Sequence, residues 1–234
     1  MSHAIIGSGV DDAFGRTVAN GWGDADTGQT WIAEGGPAVD YAVASGVGYH
    51  YENEAAGATR RTLLDLGVAD VDAYWTVSIP QVSAGVAAQT GLMVREDGTN
   101  ANLYIFRVLF LEDGTLEARI SKRVAGVETT ILNPPGTQGV YSAGTKVHVR
   151  SLIIGSRLRM KVWTDGPEPD AWQLDVTDTT FTGPGRVGLR SDIPAGWTGA
   201  VPLVFSYTDL RIGYPILVDR LTFIEPAIVT IHAV

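Results

Sequence analysis

The sequence predicts an all-β chain, an antiparallel two-sheet jelly-roll sandwich with a C-terminal extension. Three observations lead there. Short apolar runs with period-2 alternation recur along the whole length, the pattern of strands with one face in a core. The 28 Gly and 11 Pro fall between these runs, where tight turns need them. No stretch keeps a helical period beyond a turn or two, and no repeat of fixed length is present.

Taken in order, residues 11–31 (DDAFGRTVANGWGDADTGQTW) form a Gly-rich opening that carries Phe14, Trp22 and Trp31. Large aromatics among glycines suit a loop packed on a sheet edge better than a ligand platform. Short strands are expected at 38–43, 48–52 and 59–66. In the next, 73–79, Ala73, Trp75, Val77 and Ile79 share one face and Tyr74, Thr76 and Ser78 the other, until Pro80 ends it. Strands at 89–94, 102–111 and 116–124 are separated by Asp97-Gly98 and Asp113-Gly114, and Asp-Gly between apolar runs is a strong hairpin signal. Segment 102–111 is apolar on both faces apart from Arg107, which predicts a central strand covered on both sides. Further strands are expected at 127–132, 146–153, 157–163, 172–176, 186–190 and 201–212.

The hairpin from Leu158 to Val176 (LRMKVWTDGPEPDAWQLDV) is the clearest of all. Leu158, Met160 and Val162 alternate with Arg157, Arg159, Lys161 and Trp163. Pro167 and Pro169 break the ladder, because proline has no N–H and a fixed φ. Trp172, Leu174 and Val176 then resume the alternation. Many antiparallel strands with two-sided burial mean two packed sheets.

Composition narrows the function. A chain of 234 residues, 45% hydrophobic, can bury a full core in one domain. A net charge of -9 argues against a general nucleic-acid or anionic-membrane surface. The absence of Cys excludes disulfides, thiolate metal sites and Cys nucleophiles. No apolar segment reaches the roughly 20 residues needed to span a bilayer, and the opening MSHAIIGSGVDD lacks the basic and apolar regions of a secretory signal, so none is expected.

The stretches DDAFGRTVANGWGDADTGQTW, GLMVREDGTNANLYIFRV, YSAGTKVHVRSLIIGSRLRMKVWTDGPEPDAWQLDV and GRVGLRSD with FSYTDLRIG together resemble the concanavalin A-like lectin/glucanase superfamily in its laminin-G-like branch. More narrowly they are similar to domains in minor tail proteins of phages infecting actinobacteria and in secreted actinobacterial proteins. The resemblance covers 11–213. It implies a jelly roll and leaves the ligand open, since this fold hosts lectins, hydrolases and structural modules.

Glycosidases of that superfamily carry a Glu-x-Asp-x-x-Glu strand that places two carboxylates for a retaining mechanism, and no such cluster occurs here. The acidic residues Asp11, Asp12, Glu52, Glu54, Asp70, Asp72, Glu96, Asp97, Glu112 and Asp113 flank turns, and most are expected to be solvated. His3, His50, His148 and His232 have no zinc-site spacing, and there is no GxSxG elbow. The expectation is a non-enzymatic protein without a cofactor. A structural Ca2+ on Asp11, Asp12 and Asp209 stays open beside a salt bridge or turn role for the same residues.

The most suggestive surface flanks Ile154-Gly155-Ser156. With Val147 and Val149 inward, His148 and Arg150 share the outer face with Arg159, Lys161 and Trp163. Basic and aromatic groups together suit a glycan; a solvated face on which Lys and Arg stems cover Trp163 is the plainer alternative. Residues 1–10 form an N-terminal segment. Residues 214–234 (YPILVDRLTFIEPAIVTIHAV) read as an apolar arm or added strand. The expected role is a phage virion surface component, a minor tail or tail-tip protein. It would bind host-surface glycan and contact other virion proteins through the arm as a homo-oligomer in the particle. A structural or capsid-decoration protein, or a wall-polysaccharide glycosidase, is the alternative.

Overall fold

The computed structural model describes residues 9–54 and 58–215. The chain runs through β1 (Val10–Asp12), β2 (Val18–Ala19), β3 (Ile32–Glu34), β4 (Tyr41–Ala44), β5 (Val47–Glu52) and β6 (Ala58–Val68). It continues through β7 (Val71–Ser78), β8 (Ala88–Glu96), β9 (Leu103–Phe110), β10 (Leu116–Val124) and β11 (Val127–Leu132). The last elements are β12 (Val147–Ile154), β13 (Arg157–Trp163), β14 (Leu174–Thr177), β15 (Gly185–Ile193) and β16 (Leu203–Gly213). Two antiparallel sheets result. One has the order β14-β13-β12-β7-β16-β5-β4-β2, with β1 also on β16; the other has the order β11-β10-β9-β8-β15-β6-β3. Among the described residues no helix is long and apolar enough to cross a membrane.

The expected jelly-roll sandwich is therefore the observed one, and β9 is the doubly covered central strand, buried at every residue. Phe14, Trp22 and Trp31 belong to the core between the sheets: Trp22 packs edge-on to Phe14 and Trp31 with ring centres 5.1 Å apart in each case. Three sequence expectations need correction. Segment 38–43 is not one strand, because Pro37 leads into a single turn of 3-10 helix at Ala38–Asp40 and β4 begins only at Tyr41. Trp172 does not open the return strand, which starts at Leu174. Asp12, Glu52, Asp72 and Glu96 are buried, each tied to an arginine, so turn proximity is a poor guide to their exposure. The arm at 214–234 and the segment 1–10 lie almost wholly outside the described residues.

A polar cluster sits inside the sandwich. The Ser191 hydroxyl donates to Glu52 Oε1 at 2.6 Å, and Ser191 Oγ and Thr62 Oγ1 lie 3.0 and 3.1 Å from the two ring nitrogens of His50. Arg60, paired with Asp40 at 2.7 Å, comes within 3.6 Å of Glu52 Oε2. Burial pushes the Glu52 carboxyl up to about 8, against the opposing hydrogen bond from Ser191 and the Arg60 cation. Burial likewise drives His50 well below its ordinary value, and Arg60 adds to the effect. A carboxyl raised in the folded state keeps a proton that the unfolded chain has lost. Its contribution to stability therefore falls as pH rises from the ordinary 4.5 toward 8. Glu52→Gln, which cannot ionise, is expected to gain on the wild type by about 3 kcal/mol between pH 5 and pH 8 in urea unfolding.

Candidate functional site

The register of β7, β12 and β13 assembles the outer face. His148 pairs with Trp163 and Thr76, Arg150 with Lys161 and Tyr74, and Leu152 with Arg159. Val147, Val149, Leu158, Met160 and Val162 point the other way and are fully buried. The five residues singled out in the sequence thus do share one outer face. Their surroundings decide what each can do.

The loop between β13 and β14 folds back over this face. Glu168 accepts hydrogen bonds from Lys161 at 2.8 Å and from Arg150 at 3.0 Å, and Lys161 also donates to the Pro169 carbonyl. Arg150 makes a second, two-pronged contact with Asp72 at 2.9 and 2.7 Å. The hydrogen bonds to Asp72 chiefly hold its guanidinium above the ordinary value. Burial alone would raise Glu168; the donors Lys161 and Arg150 outweigh it and hold the carboxyl below the ordinary range. Trp172 lies where three cations converge: Lys161 at 4.8 Å from its ring centre, Arg150 at 5.7 Å and Arg159 at 5.8 Å. Arg159 also donates to Asp175 at 3.2 Å. Beside it Leu152, Ile154, Arg157 and Arg159 line a shallow depression of about 180 Å³.

Trp163 is only 8% exposed, so it is a floor and not a platform. His148 stacks on it at 5.5 Å, and Tyr74 lies 6.0 Å from it. His148 Nδ1 is within 2.9 Å of both the Tyr74 and the Thr76 hydroxyl. Burial, with the Lys146 charge acting the same way, moves His148 below its ordinary value, although Asp209 and Asp165 oppose this. The partly exposed aromatics of this sheet face are Tyr74, Trp172 and the stacked pair Tyr49 and Tyr51, whose ring centres are 5.8 Å apart. Sequence reasoning missed these four as site residues. The alternation around Tyr74 and Tyr49 held the signal, whereas Trp172 could be placed only once the loop was seen to fold back.

At the other end, β1 and β16 do pair, with Asp11 opposite Arg211 and Asp12 opposite Leu210. Asp12 is taken up by Arg16 at 2.7 Å and by the Trp31 indole N–H at 2.8 Å. Among the described residues no group of three or more His, Asp or Glu side chains is placed to hold a metal ion.

No family model matches the chain, and no curated protein does. Solved structures do. The carbohydrate-binding module CBM66 from Bacillus subtilis is similar over 78% of this chain and 94% of its own, with 17% identity and a TM-score of 0.55. The Bacillus licheniformis beta-glucanase is similar over 89% of this chain and 99% of its own, with 12% identity and a TM-score of 0.61. The CBM2 module of the Lactobacillus casei BL23 phage J-1 evolved Dit is similar over 90% of this chain and 99% of its own, with 9% identity and a TM-score of 0.57. At such identities the likeness is one of fold, the concanavalin A-like jelly roll.

Two outcomes follow for the face. Trp163→Ala removes a buried ring and is expected to cost about 3–5 kcal/mol in chemical denaturation. Glu168→Gln is expected to cost about 1 kcal/mol or less at pH 7. That difference should shrink as pH falls below the ordinary glutamate range and the wild-type carboxyl takes up its proton.

Proposed function

We propose that this domain is a non-enzymatic glycan-binding module carried on a phage particle, and that the outer face of the larger sheet makes the contact. The observation that carries the reading is the cluster around Trp172. A half-buried indole, ringed by Arg150, Arg159 and Lys161, stands on the same face as Tyr74 and His148. Aromatic faces stack on the apolar side of sugar rings, and N–H donors fixed beside them hydrogen-bond hydroxyls. Glu168 and Asp72 hold Arg150 and Lys161 in place and Asp175 holds Arg159, so the donors are ordered before a ligand arrives.

The phage setting draws support from the fold shared with the module of the phage Dit protein and from the family resemblance of the sequence. The apolar stretch 214–234 fits an assembly arm toward other virion proteins and further copies of the chain. A glycosidase is disfavoured by the missing Glu-x-Asp-x-x-Glu strand.

Retention on host cell-wall polysaccharide and on a glycan array tests the reading. Trp172→Ala is expected to weaken retention tenfold or more while the far-ultraviolet circular dichroism stays unchanged. A wild-type chain that enters particles yet retains no glycan would make it a structural virion protein. Reducing sugar released from the wall would make it a hydrolase.

A further inference from the structure

Both sheets end in open edges, and one edge differs from the rest. Among the described residues β1, β2, β3 and β14 are only two to four residues long. The strand at the other border, β11 of the seven-stranded sheet, runs for six residues, Val127–Leu132. Its ladder partner is β10, with Val124 opposite Val127, Lys122 opposite Thr129 and Ser121 opposite Thr130. A register shift between Ile120 and Ser121 falls beyond these pairs and leaves 127–130 regular. No other described residue hydrogen-bonds the backbone on the far side of β11.

Such an edge is usually guarded by shortness, by a lysine or proline, or by a covering loop. β11 has none of these guards. Val127, Glu128, Thr129 and Thr130 are all exposed, Val127 at 67%. The single charge, Glu128, is drawn over its own sheet by Arg107 at 2.6 Å and Arg123 at 3.4 Å. What faces outward is therefore a row of N–H and C=O groups, flanked by small branched side chains, which one further strand would satisfy.

The sequence supplies a strand of that kind. Residues 227–234 (AIVTIHAV) lie outside the described residues and contain no Asp, Glu, Lys or Arg. Ile228, Val229, Thr230, Ile231 and Val234 are β-branched, the side chains that favour extended backbone. An uncharged segment approaches a chain of net charge -9 without repulsion. Residues 216–226 stand between the described chain and this segment, and when extended they reach at most about 40 Å. That is long enough to bridge neighbouring copies.

We propose that β11 takes up residues 227–234 of a second copy of this chain as an added strand of the seven-stranded sheet. The inference rests on the reading of 214–234 as an assembly arm and gives that arm its receptor. Backbone hydrogen bonds supply the attraction, and cross-strand packing on Val127 and Thr129 sets the register.

The chain has no Cys, so engineered thiols report the contact. Full-length Thr129→Cys is mixed, under mild oxidation, with each of the full-length variants Ile228→Cys, Val229→Cys, Thr230→Cys and Ile231→Cys. Opposed strand residues bring their Cα atoms to about 4.5–5.5 Å, a separation a disulfide accepts. A linked dimer with one chain of each kind is expected, its yield alternating along the four positions. The yield should be about tenfold above that from Ser142→Cys, an exposed loop position used in place of Thr129→Cys. In sedimentation velocity, Val127→Lys and Thr129→Lys should each weaken self-association about tenfold with circular dichroism unchanged, because a lysine on an edge opposes pairing. A full chain with Val229→Asp and Ile231→Asp should lose it equally.

Loss in the arm variant without loss in either lysine variant would leave the arm reading standing and overturn β11 as its receptor. Self-association that none of these variants alters, or a chain monomeric at every concentration, would overturn both. A Thr129→Cys/Val229→Cys double variant that links only within one chain would show the edge filled by its own arm, and would likewise overturn the proposal.

Discussion

Everything in this sandwich rests on the aromatic layer between its sheets. Trp22 alone meets Phe14, Trp31, His50 and Tyr207 at ring distances from 4.9 to 5.7 Å. Those partners come from the opening loop, from β5 and from β16. Segments distant in sequence are thereby fixed by one indole, which also donates its N–H to the Tyr49 carbonyl at 3.0 Å. Edge-on geometry gives such rings an attraction beyond the area they bury. The two outer faces inherit their positions from that layer. Each inward core residue dictates, by the alternation of its strand, which neighbour points outward.

The second organising principle is the disposition of charge. All but three of the 17 basic residues are arginine, and arginine suits sites where one cation must satisfy several oxygens at once. Arg95 is an instance: it donates to the carbonyls of Ala69, Phe181 and Gly155 and to Asp70, joining loops at one end of the sandwich. Arg150 similarly joins β7, β12 and the loop after β13 through Asp72 and Glu168. The two sheet faces differ in how this resource is used. Around Trp172 the cations are matched by carboxylates and an aromatic ring, while on the seven-stranded sheet Arg107 and Arg190 share the two carboxylates of Glu128 and Asp192.

Much of the fold was legible in the sequence for a physical reason. Period-2 alternation reports on a single strand, so β7, β9, β12 and β13 could be read from their own residues, and Arg107 stood out in an otherwise apolar strand. Even the sharing of one face by His148, Arg150, Arg159, Lys161 and Trp163 followed from two adjacent strands and a short turn. What depended on non-local geometry was hidden. The burial of Trp163, the return of Glu168 and Trp172 over their own hairpin, and the alignment of Arg61, Arg107 and Arg190 from three separate strands all require a register that no local pattern encodes. The burial of Asp12, Glu52, Asp72 and Glu96 was missed on the same account: their arginine partners arrive from other turns and strands, except for Arg16 beside Asp12.

Two glycines at the middle of the seven-stranded sheet restrict how this molecule can vary. A Cβ on Gly188 would stand 2.0 Å from the Thr62 carbonyl oxygen, and one on Gly91 would stand 2.7 Å from that of Phe106. Backbone contact therefore fixes the sheet at these two points, and diversification of its outer face is confined to the positions around them.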